Sequence, residues 1–231
     1  MMKYITKTDL YIVSRYSGVV MICVGLMCLF PLLIDLIYFE FNYACFIIPG
    51  VFSVILGYIC MKALDKYSNS KMRLKHGMMI SSIAWMWASV IGGVVISLAT
   101  GTDFLNGIFE STSALTGTGI TMFDNVEILP HSILYFRAFE QWVGGLGVVV
   151  MMIGILTRPG TASAKLYQSE AREERLKPSV KTTLKKTIEI YLIYTIIGII
   201  LYLLAGMPAF DSVCTTFCMI ATGGKPCTFM A

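Results

Sequence analysis

Apolar residues fall into five long runs along the chain, and polar segments separate them. The runs cover residues 17–37, 42–61, 78–99, 132–156 and 188–205. Each run is about 18 residues or longer, which is what an α-helix needs to cross the ~30 Å hydrocarbon core of a bilayer. The pattern predicts an all-α polytopic membrane protein.

One shorter apolar segment, residues 104–114, would form a helix about 16 Å long, roughly half the depth of the hydrocarbon core. It follows Asp103, a residue type that favours helix starts, and precedes the sequence TGTG at residues 116–119. Non-helical backbone is tolerated at membrane depth only where protein buries it or where it lines a watery cavity. We interpret residues 102–121 as a re-entrant pore loop; the alternative is that TGTG is only a turn between two spans.

The pore-loop pattern recurs near the end of the chain. A second short apolar segment, residues 210–220, is followed by the sequence ATGG at residues 221–224. An offset of 104 residues places Gly119 on Gly223 and brings the third long run onto the fifth. Similarity at a fixed period indicates a repeated structural unit. The unit is a span, a half-helix, a Gly/Thr strand and a span, complete once and then begun again.

Charge supports this topology. The chain is 56% hydrophobic and 14% charged, against about 25% charged for soluble domains. Of its 18 Lys and Arg residues, all but two lie before residue 17 or in the segments 62–77 and 157–187. The positive-inside rule makes these segments cytoplasmic, together with the N-terminus. We expect His76, in the first of these loops, to be solvated. The net charge of +4 is therefore explained by topology and does not indicate nucleic-acid binding.

The pore-loop residue types suit a cation. Backbone carbonyls replace the water of a potassium ion in channels, glycine adopts the required backbone angles at low cost, and a half-helix points its negative end at the ion. An arginine inside a span is costly and normally faces protein. Arg137 is thus expected either to brace the loop through Glu110 or to pair with Glu140 one turn away.

No nucleophile with a base and no metal-ligand spacing occurs in the spans. We therefore expect neither an enzyme nor a bound cofactor.

Two stretches resemble a known family. FESTSALTGTG at residues 109–119 and FRAFEQWVGGLG at residues 136–147 resemble the first pore loop and the second pore span of the Trk/Ktr/HKT potassium transporters, closest to the Trk-type membrane subunit. Residues 176–178 and 210–224 resemble the inter-repeat loop and the second pore loop. The resemblance covers essentially the whole chain.

The resemblance implies two leading helices and four span–loop–span repeats around one potassium path. It implies a homodimer in the lipid bilayer, a cytoplasmic nucleotide-binding regulatory subunit, and K⁺ as the transported ion. The implied filter residues are Thr116, Gly117, Thr118, Gly119 and Ile120 in the first loop, and Ala221, Thr222, Gly223 and Gly224 in the second. K⁺ is expected at Thr118, Gly119, Thr222 and Gly223, with Arg137 and Glu110 bracing the filter.

The resulting division of the chain is 1–76 for the leading helices, 77–160 for the first repeat, 161–187 for a cytoplasmic loop and 188–231 for the start of a second repeat. Four repeats of this period need about twice this length, and Lys225 stands where the family usually has an aromatic residue. We therefore expect an N-terminal portion of a plasma-membrane potassium uptake protein. The alternative is a non-conducting fragment or an assembly or regulatory partner of a longer transporter.

Overall fold

The computed structural model describes residues 6–64, 74–156 and 180–223, and all regular secondary structure within these ranges is α-helical. The helices are α1 (Lys7–Met27), α2 (Pro31–Tyr38), α3 (Tyr43–Ala63), α4 (Leu74–Thr100), α5 (Phe104–Leu115), α6 (His131–Leu156), α7 (Val180–Leu204) and α8 (Ala209–Ile220). This confirms the all-α fold. Gly224, Lys225 and most of the predicted cytoplasmic loop lie outside the described residues.

Four described segments are long and apolar enough to cross a membrane. They are Lys7–Tyr38, which joins α1 and α2, and Tyr43–Ala63, Lys75–Thr100 and Thr182–Leu204. Helix α6 has 26 residues, and its first half carries Arg137, Glu140 and Gln141. Glu140 and Gln141 are buried inside the protein. The first half of α6 is therefore largely covered by other helices.

The first helix begins at Lys7, ten residues before the predicted start at residue 17. Thr6 and Asp9 explain the difference, because they form a capping box. The Thr6 hydroxyl accepts the Asp9 N–H at 3.3 Å, and the Asp9 carboxylate accepts the Thr6 N–H at 2.9 Å. Such a box satisfies N–H groups that have no partner within the helix, so the polar start of the chain is helical.

The prediction that His76 is a solvated loop residue is wrong. His76 is 1% exposed, and its Nε2 lies 2.7 Å from Asp9 Oδ1. The neighbouring Lys75 also pairs with Asp9. Because both partners are in the first turns of α4, the buried carboxylate joins the start of α4 to the start of α1.

Helices α1 and α3 cross with their backbones in contact. A Cβ atom at Gly18 would lie 2.6 Å from the carbonyl oxygen of Gly57, and one at Gly25 would lie 2.5 Å from that of Gly50. The glycines are seven residues apart on each helix, so both pairs lie on one face. Small residues permit such close helix packing in membranes, and the two leading helices form one rigid pair.

The loop between α2 and α3 caps α6. Glu40 accepts hydrogen bonds from the backbone N–H groups of His131 at 2.5 Å and Ser132 at 2.9 Å, and from the Ser132 hydroxyl at 2.7 Å. These N–H groups begin α6, where they have no partner within the helix and carry its positive end. The flanking Phe39 and Phe41 have φ values of 55° and 58°, a left-handed conformation that is costly for bulky side chains. The cap therefore fixes a loop that the backbone alone disfavours.

The second half of the structure repeats one arrangement. Helix α5 packs on α4 and helix α8 packs on α7, and α6 contacts both short helices. Glycines allow α5 to sit against α4, since a Cβ atom at Gly107 would lie 2.5 Å from the Gly93 carbonyl oxygen. The candidate site lies where α5 and α8 end beside α6.

The Glu40 cap predicts a pH-dependent stability. Burial raises the pKa of Glu40, but the hydrogen bonds from Ser132 and His131 outweigh it, and the pKa stays below its usual value. The cap is then fully stabilising above the ordinary glutamate pKa of about 4.3 and is lost as pH falls through the lower folded-state value. Thermal unfolding of the detergent-purified chain between pH 7 and pH 3 should show Glu40→Gln less stable than wild type at pH 7.

That difference should shrink as pH falls. Asp124→Asn, which changes an exposed carboxylate in the chain between α5 and α6, serves as the control. A gap between wild type and Glu40→Gln that stays constant over this range would contradict the cap.

Candidate ion-filter site

The first half-helix, α5, runs over 12 residues, so it is about 18 Å long. It was predicted at residues 104–114 and is observed one residue longer. The Asp103 side chain accepts the Leu105 N–H at 3.1 Å and caps its start. After Thr116, glycines at 117 and 119 have φ values of 70° and 71°. The chain therefore leaves the helix through two left-handed positions, which favour glycine.

The segment after α5 is held by its amides and hydroxyls. The Thr118 N–H donates to the Ser113 carbonyl at 3.0 Å, and the Ser113 hydroxyl donates to the Ile120 carbonyl at 2.6 Å. The hydroxyls of Thr116 and Thr118 lie 2.8 Å apart. Among the described residues, no hydrogen bond ends on the carbonyls of residues 116–119. Four consecutive carbonyl oxygens thus remain available to a cation.

The end of α8 repeats this hydrogen bonding. Three N–H groups after each helix donate back to the last turn of that helix. In the first loop these bonds are Thr116 to Thr112, Gly117 to Ala114 and Thr118 to Ser113, and in the second they are Ala221 to Phe217, Thr222 to Met219 and Gly223 to Cys218. The left-handed Gly117 is matched by Thr222, whose φ is 56°.

The structural offset between the loops is therefore 105 residues, and the predicted offset of 104 is wrong by one. The prediction aligned identical Thr-Gly pairs, whereas the backbone repeats from the helix ends. By this offset Thr118 corresponds to Gly223, and the position of Gly119 is taken in the second loop by Gly224, which lies outside the described residues.

Arg137 and Glu110 are brought together, as one of the two sequence interpretations required. Arg137 Nη2 lies 2.9 Å from Glu110 Oε2 and 3.2 Å from the Thr121 hydroxyl. Glu110 is 1% exposed, and its other oxygen accepts the Thr121 hydroxyl at 2.6 Å and the Met122 N–H. The pair thus joins α5, the chain that follows the candidate filter segment (residues 116–120), and α6.

Glu140 has a different partner. It is fully buried and accepts the Ser111 hydroxyl at 2.6 Å. A side chain at Gly92 would collide with both groups. The contact between α4, α5 and α6 therefore depends on a glycine, a serine and a buried carboxylate. Sequence reasoning missed Ser111, although a carboxylate inside a long span was a signal that Glu140 needed a polar partner.

The Gly-Gly pair of α6 receives the ends of both half-helices. A Cβ atom at Gly144 would overlap the Leu115 carbonyl, and one at Gly145 would lie 3.0 Å from the Cα of Ala221. Leu115 is the last residue of α5, and Ala221 directly follows α8. These glycines therefore place the starts of the two candidate filter segments beside the same helix.

Aromatic contacts hold α8 and α7 against α6. Phe217 of α8 packs on Trp142, with ring centroids 5.4 Å apart. The Trp142 indole N–H donates to the Thr195 hydroxyl at 3.0 Å, and the Tyr191 hydroxyl donates to the Trp142 carbonyl at 3.0 Å. The second loop is therefore placed by the same helix that braces the first.

Metal-ligating side chains do not define this site. Over residues 6–64, 74–156 and 180–223, no group of three or more His, Cys, Asp or Glu residues could hold a metal ion. Any ion at the site would bind to backbone carbonyls and threonine hydroxyls.

Comparisons with known proteins agree with this architecture. A family model described as cation transport protein, TrkH, matches residues 46–226. An uncharacterised cation transporter of Methanocaldococcus jannaschii is 39% identical over 95% of this chain and 46% of its own length. The Trk system potassium uptake proteins TrkH of Halomonas elongata and TrkG of Escherichia coli are 30% and 32% identical over 94% and 92% of the chain.

The crystal structure of the potassium transporter TrkH from Vibrio parahaemolyticus superimposes with a TM-score of 0.81 at 26% identity. It matches 95% of this chain and 44% of its own. The chain spans about half the length of the curated relatives it matches.

We predict that removing only the cation of the buried Glu110–Arg137 ion pair destabilises the protein more than neutralising both partners. Arg137→Met leaves the Glu110 carboxylate buried without its cation and should cost roughly 3–5 kcal/mol of unfolding free energy. Glu110→Gln together with Arg137→Met should restore part of this loss. Lys186→Met is the control, because Lys186 and Glu189 form an exposed pair at 3.2 Å that is worth at most about 1 kcal/mol. Equal effects of Arg137→Met and Lys186→Met on thermal unfolding would argue against bracing.

The shared backbone of the two loops predicts opposite effects of exchanging Gly117 and Thr222. Gly117→Thr should destabilise by about 1–2 kcal/mol, because a left-handed conformation costs that much for a residue with a Cβ atom. Thr222→Gly removes the same strain, but it also increases the freedom of the unfolded chain, so stability should be unchanged or slightly higher. Thermal unfolding of both variants checks this. The 105-residue offset would be contradicted if Thr222→Gly destabilised as much as Gly117→Thr.

Proposed function

Because the chain belongs to the TrkH family of cation transport proteins, we propose that it forms part of the ion path of a potassium uptake system in the plasma membrane. The observation that carries the proposal is the set of four carbonyls at residues 116–119, which accept no hydrogen bond from any described residue and lie at the end of a half-depth helix. Relatives named as Trk potassium uptake proteins support K⁺ as the ion.

In this proposal, K⁺ exchanges its water for backbone carbonyls of the two loops. The first loop supplies residues 116–120 and the second residues 221–224. Both half-helices end beside these residues, so the negative ends of their dipoles favour a cation. Arg137 keeps its charge away from the ion, because Glu110 neutralises it behind the filter.

The offset of 105 residues also refines the filter glycines. We assign Gly119 to the first loop and Gly224, instead of Gly223, to the second. With this assignment, Gly119, which has a φ of 71°, corresponds to a glycine in the second loop, Gly224.

The remaining walls of the filter come from chain that these 231 residues do not contain. The chain holds two half-helices among its described residues and spans about half the length of its relatives. The basic segments before residue 17 and at 62–77 and 157–187 support a cytoplasmic N-terminus. They also provide the surface on which a cytoplasmic nucleotide-binding regulatory subunit would dock in a dimeric transporter.

A second candidate function follows from the number of half-helices in the described residues. Two half-helices do not close a four-sided filter, so the chain alone would be a non-conducting assembly partner of longer transporters. The two candidate functions predict different ion uptake when this chain replaces the corresponding half of an intact transporter.

The test replaces the N-terminal half of E. coli TrkG by this chain and measures Rb⁺ uptake and growth on low potassium in a host without its own uptake systems. The chimera should take up Rb⁺, and Gly119→Ser should reduce uptake at least tenfold. Gly101→Ser is a matched control, because Gly101 also has a φ of 71° but no atom within 4 Å of an added Cβ.

Equal uptake by the Gly119→Ser and Gly101→Ser chimeras would overturn the filter assignment. An inactive chimera, together with altered uptake when the chain is expressed beside intact TrkG, would favour the assembly partner.

A further inference from the structure

A small cavity lies behind the first filter segment. Its volume is about 20 Å³, and its walls come from α5, the filter segment, α6 and α8. Gly119 and Ile120 of the first loop form one wall, and Arg137, Ala138 and Gln141 of α6 form another. The cavity therefore lies between the filter and the helix that carries both half-helices.

Two buried polar atoms beside this cavity have no hydrogen-bond partner in the described structure. Gln141 is 6% exposed, and its Oε1 accepts no hydrogen bond. The Nε–H group of Arg137 is also buried and donates none. The two residues are four apart on α6, so their side chains share one face of the helix. Unpaired buried polar atoms are rare in native proteins, and here a donor and an acceptor occur together.

We propose that the cavity binds one water molecule, which accepts from Arg137 Nε and donates to Gln141 Oε1. A water molecule can do both at once, and the cavity exceeds the roughly 10–15 Å³ that one water needs. A cation is disfavoured because the Arg137 guanidinium lines the cavity, and an anion is disfavoured because Glu110 also lines it. A neutral ligand that both donates and accepts fits the lining.

The water would make Gln141 a positioning residue for both filter segments. On one side Gln141 faces the cavity behind Gly119 and Ile120. On the other side its Oε1 lies 2.5 Å from where a Cβ atom at Gly223 would be. Fixing the Gln141 amide therefore sets the distance between the first and second loops. The proposed water site rests on the hydrogen-bonding groups of Arg137 and Gln141. It would therefore stand even if this chain did not conduct ions.

The direct test is a crystal structure of the detergent-purified chain at about 2 Å, grown in a thallium salt. One density peak within hydrogen-bond distance of Arg137 Nε and Gln141 Oε1, without an anomalous signal, is the expected result. An empty cavity would overturn the proposal. An anomalous peak in the cavity would overturn it as well, because the ligand would then be a monovalent cation.

Two variants separate the water from a general packing role. Ala138→Ser should place a hydroxyl in the cavity and remove the water peak while the fold is kept. Gln141→Leu should lose the water and lower the unfolding temperature more than Asn106→Leu, the same kind of change on α5 outside the cavity lining.

The conservative Gln141→Glu keeps an acceptor oxygen and should keep the water. In the TrkG chimera, Gln141→Leu should lower the ratio of Rb⁺ to Na⁺ uptake at least threefold, and Gln141→Glu should restore it. Water density that persists in Gln141→Leu, or an unchanged uptake ratio, would refute the role of Gln141.

Discussion

The placement of the candidate filter segment, residues 116–120, depends on one buried ion pair. A carboxylate that is 1% exposed must be matched by a cation and by hydrogen-bond donors, since burying an uncompensated charge is prohibitive. Glu110 meets this requirement with Arg137, the Thr121 hydroxyl and the Met122 N–H. Three of these groups belong to chain separated from Glu110 by the filter segment. The pair therefore closes the loop that contains residues 116–120, and hydrogen bonds to the end of α5 fix the conformation inside it.

The placement of polar residues and glycines along helix α6 follows from this requirement. The helix has to present Arg137 to one half-helix, and Glu140 to Ser111, at depths where its neighbours present apolar side chains to lipid. Both polar groups lie in its first half, and glycines occupy the next turn. That turn receives the ends of α5 and α8 at distances that exclude any side chain at Gly144. The polar residues of α6 therefore lie in its first half, where Glu140 and Gln141 are buried by protein.

Much of this arrangement could be predicted from the sequence. The half-helix after Asp103 and the helices α3, α4 and α6 were placed within four residues, because length and hydrophobicity largely decide what crosses a bilayer. Helix α7 begins at Val180, eight residues before the predicted start at residue 188. The first helix was placed ten residues too late, because its start depends on a capping box between Thr6 and Asp9 and not on hydrophobicity. His76 was misjudged for a related reason. Its partner is Asp9, 67 residues away, and no local pattern reports such a distant contact.

The register of the second loop was missed for a different reason. Sequence similarity matched Thr-Gly with Thr-Gly, but the helix ends repeat one residue further on. The hydrogen bonds that end a half-helix fix where its carbonyls point, and the dipole of each half-helix has to point at the same ion path. The two repeats thus share a backbone conformation although their residues differ. Thr222, for example, adopts the same left-handed conformation as Gly117, which a glycine adopts at low cost.

Glycine is therefore required for two different physical reasons in the two loops. In the first loop, Gly117 and Gly119 are required by their backbone angles. In the second loop, Gly223 does not have a left-handed φ, but a side chain there would displace the buried Gln141 amide. A glycine-rich signature therefore does not by itself say which of two neighbouring glycines is equivalent between the loops. The hydrogen bonds at the helix ends decide it, and their offset of 105 residues makes position 224 the counterpart of position 119.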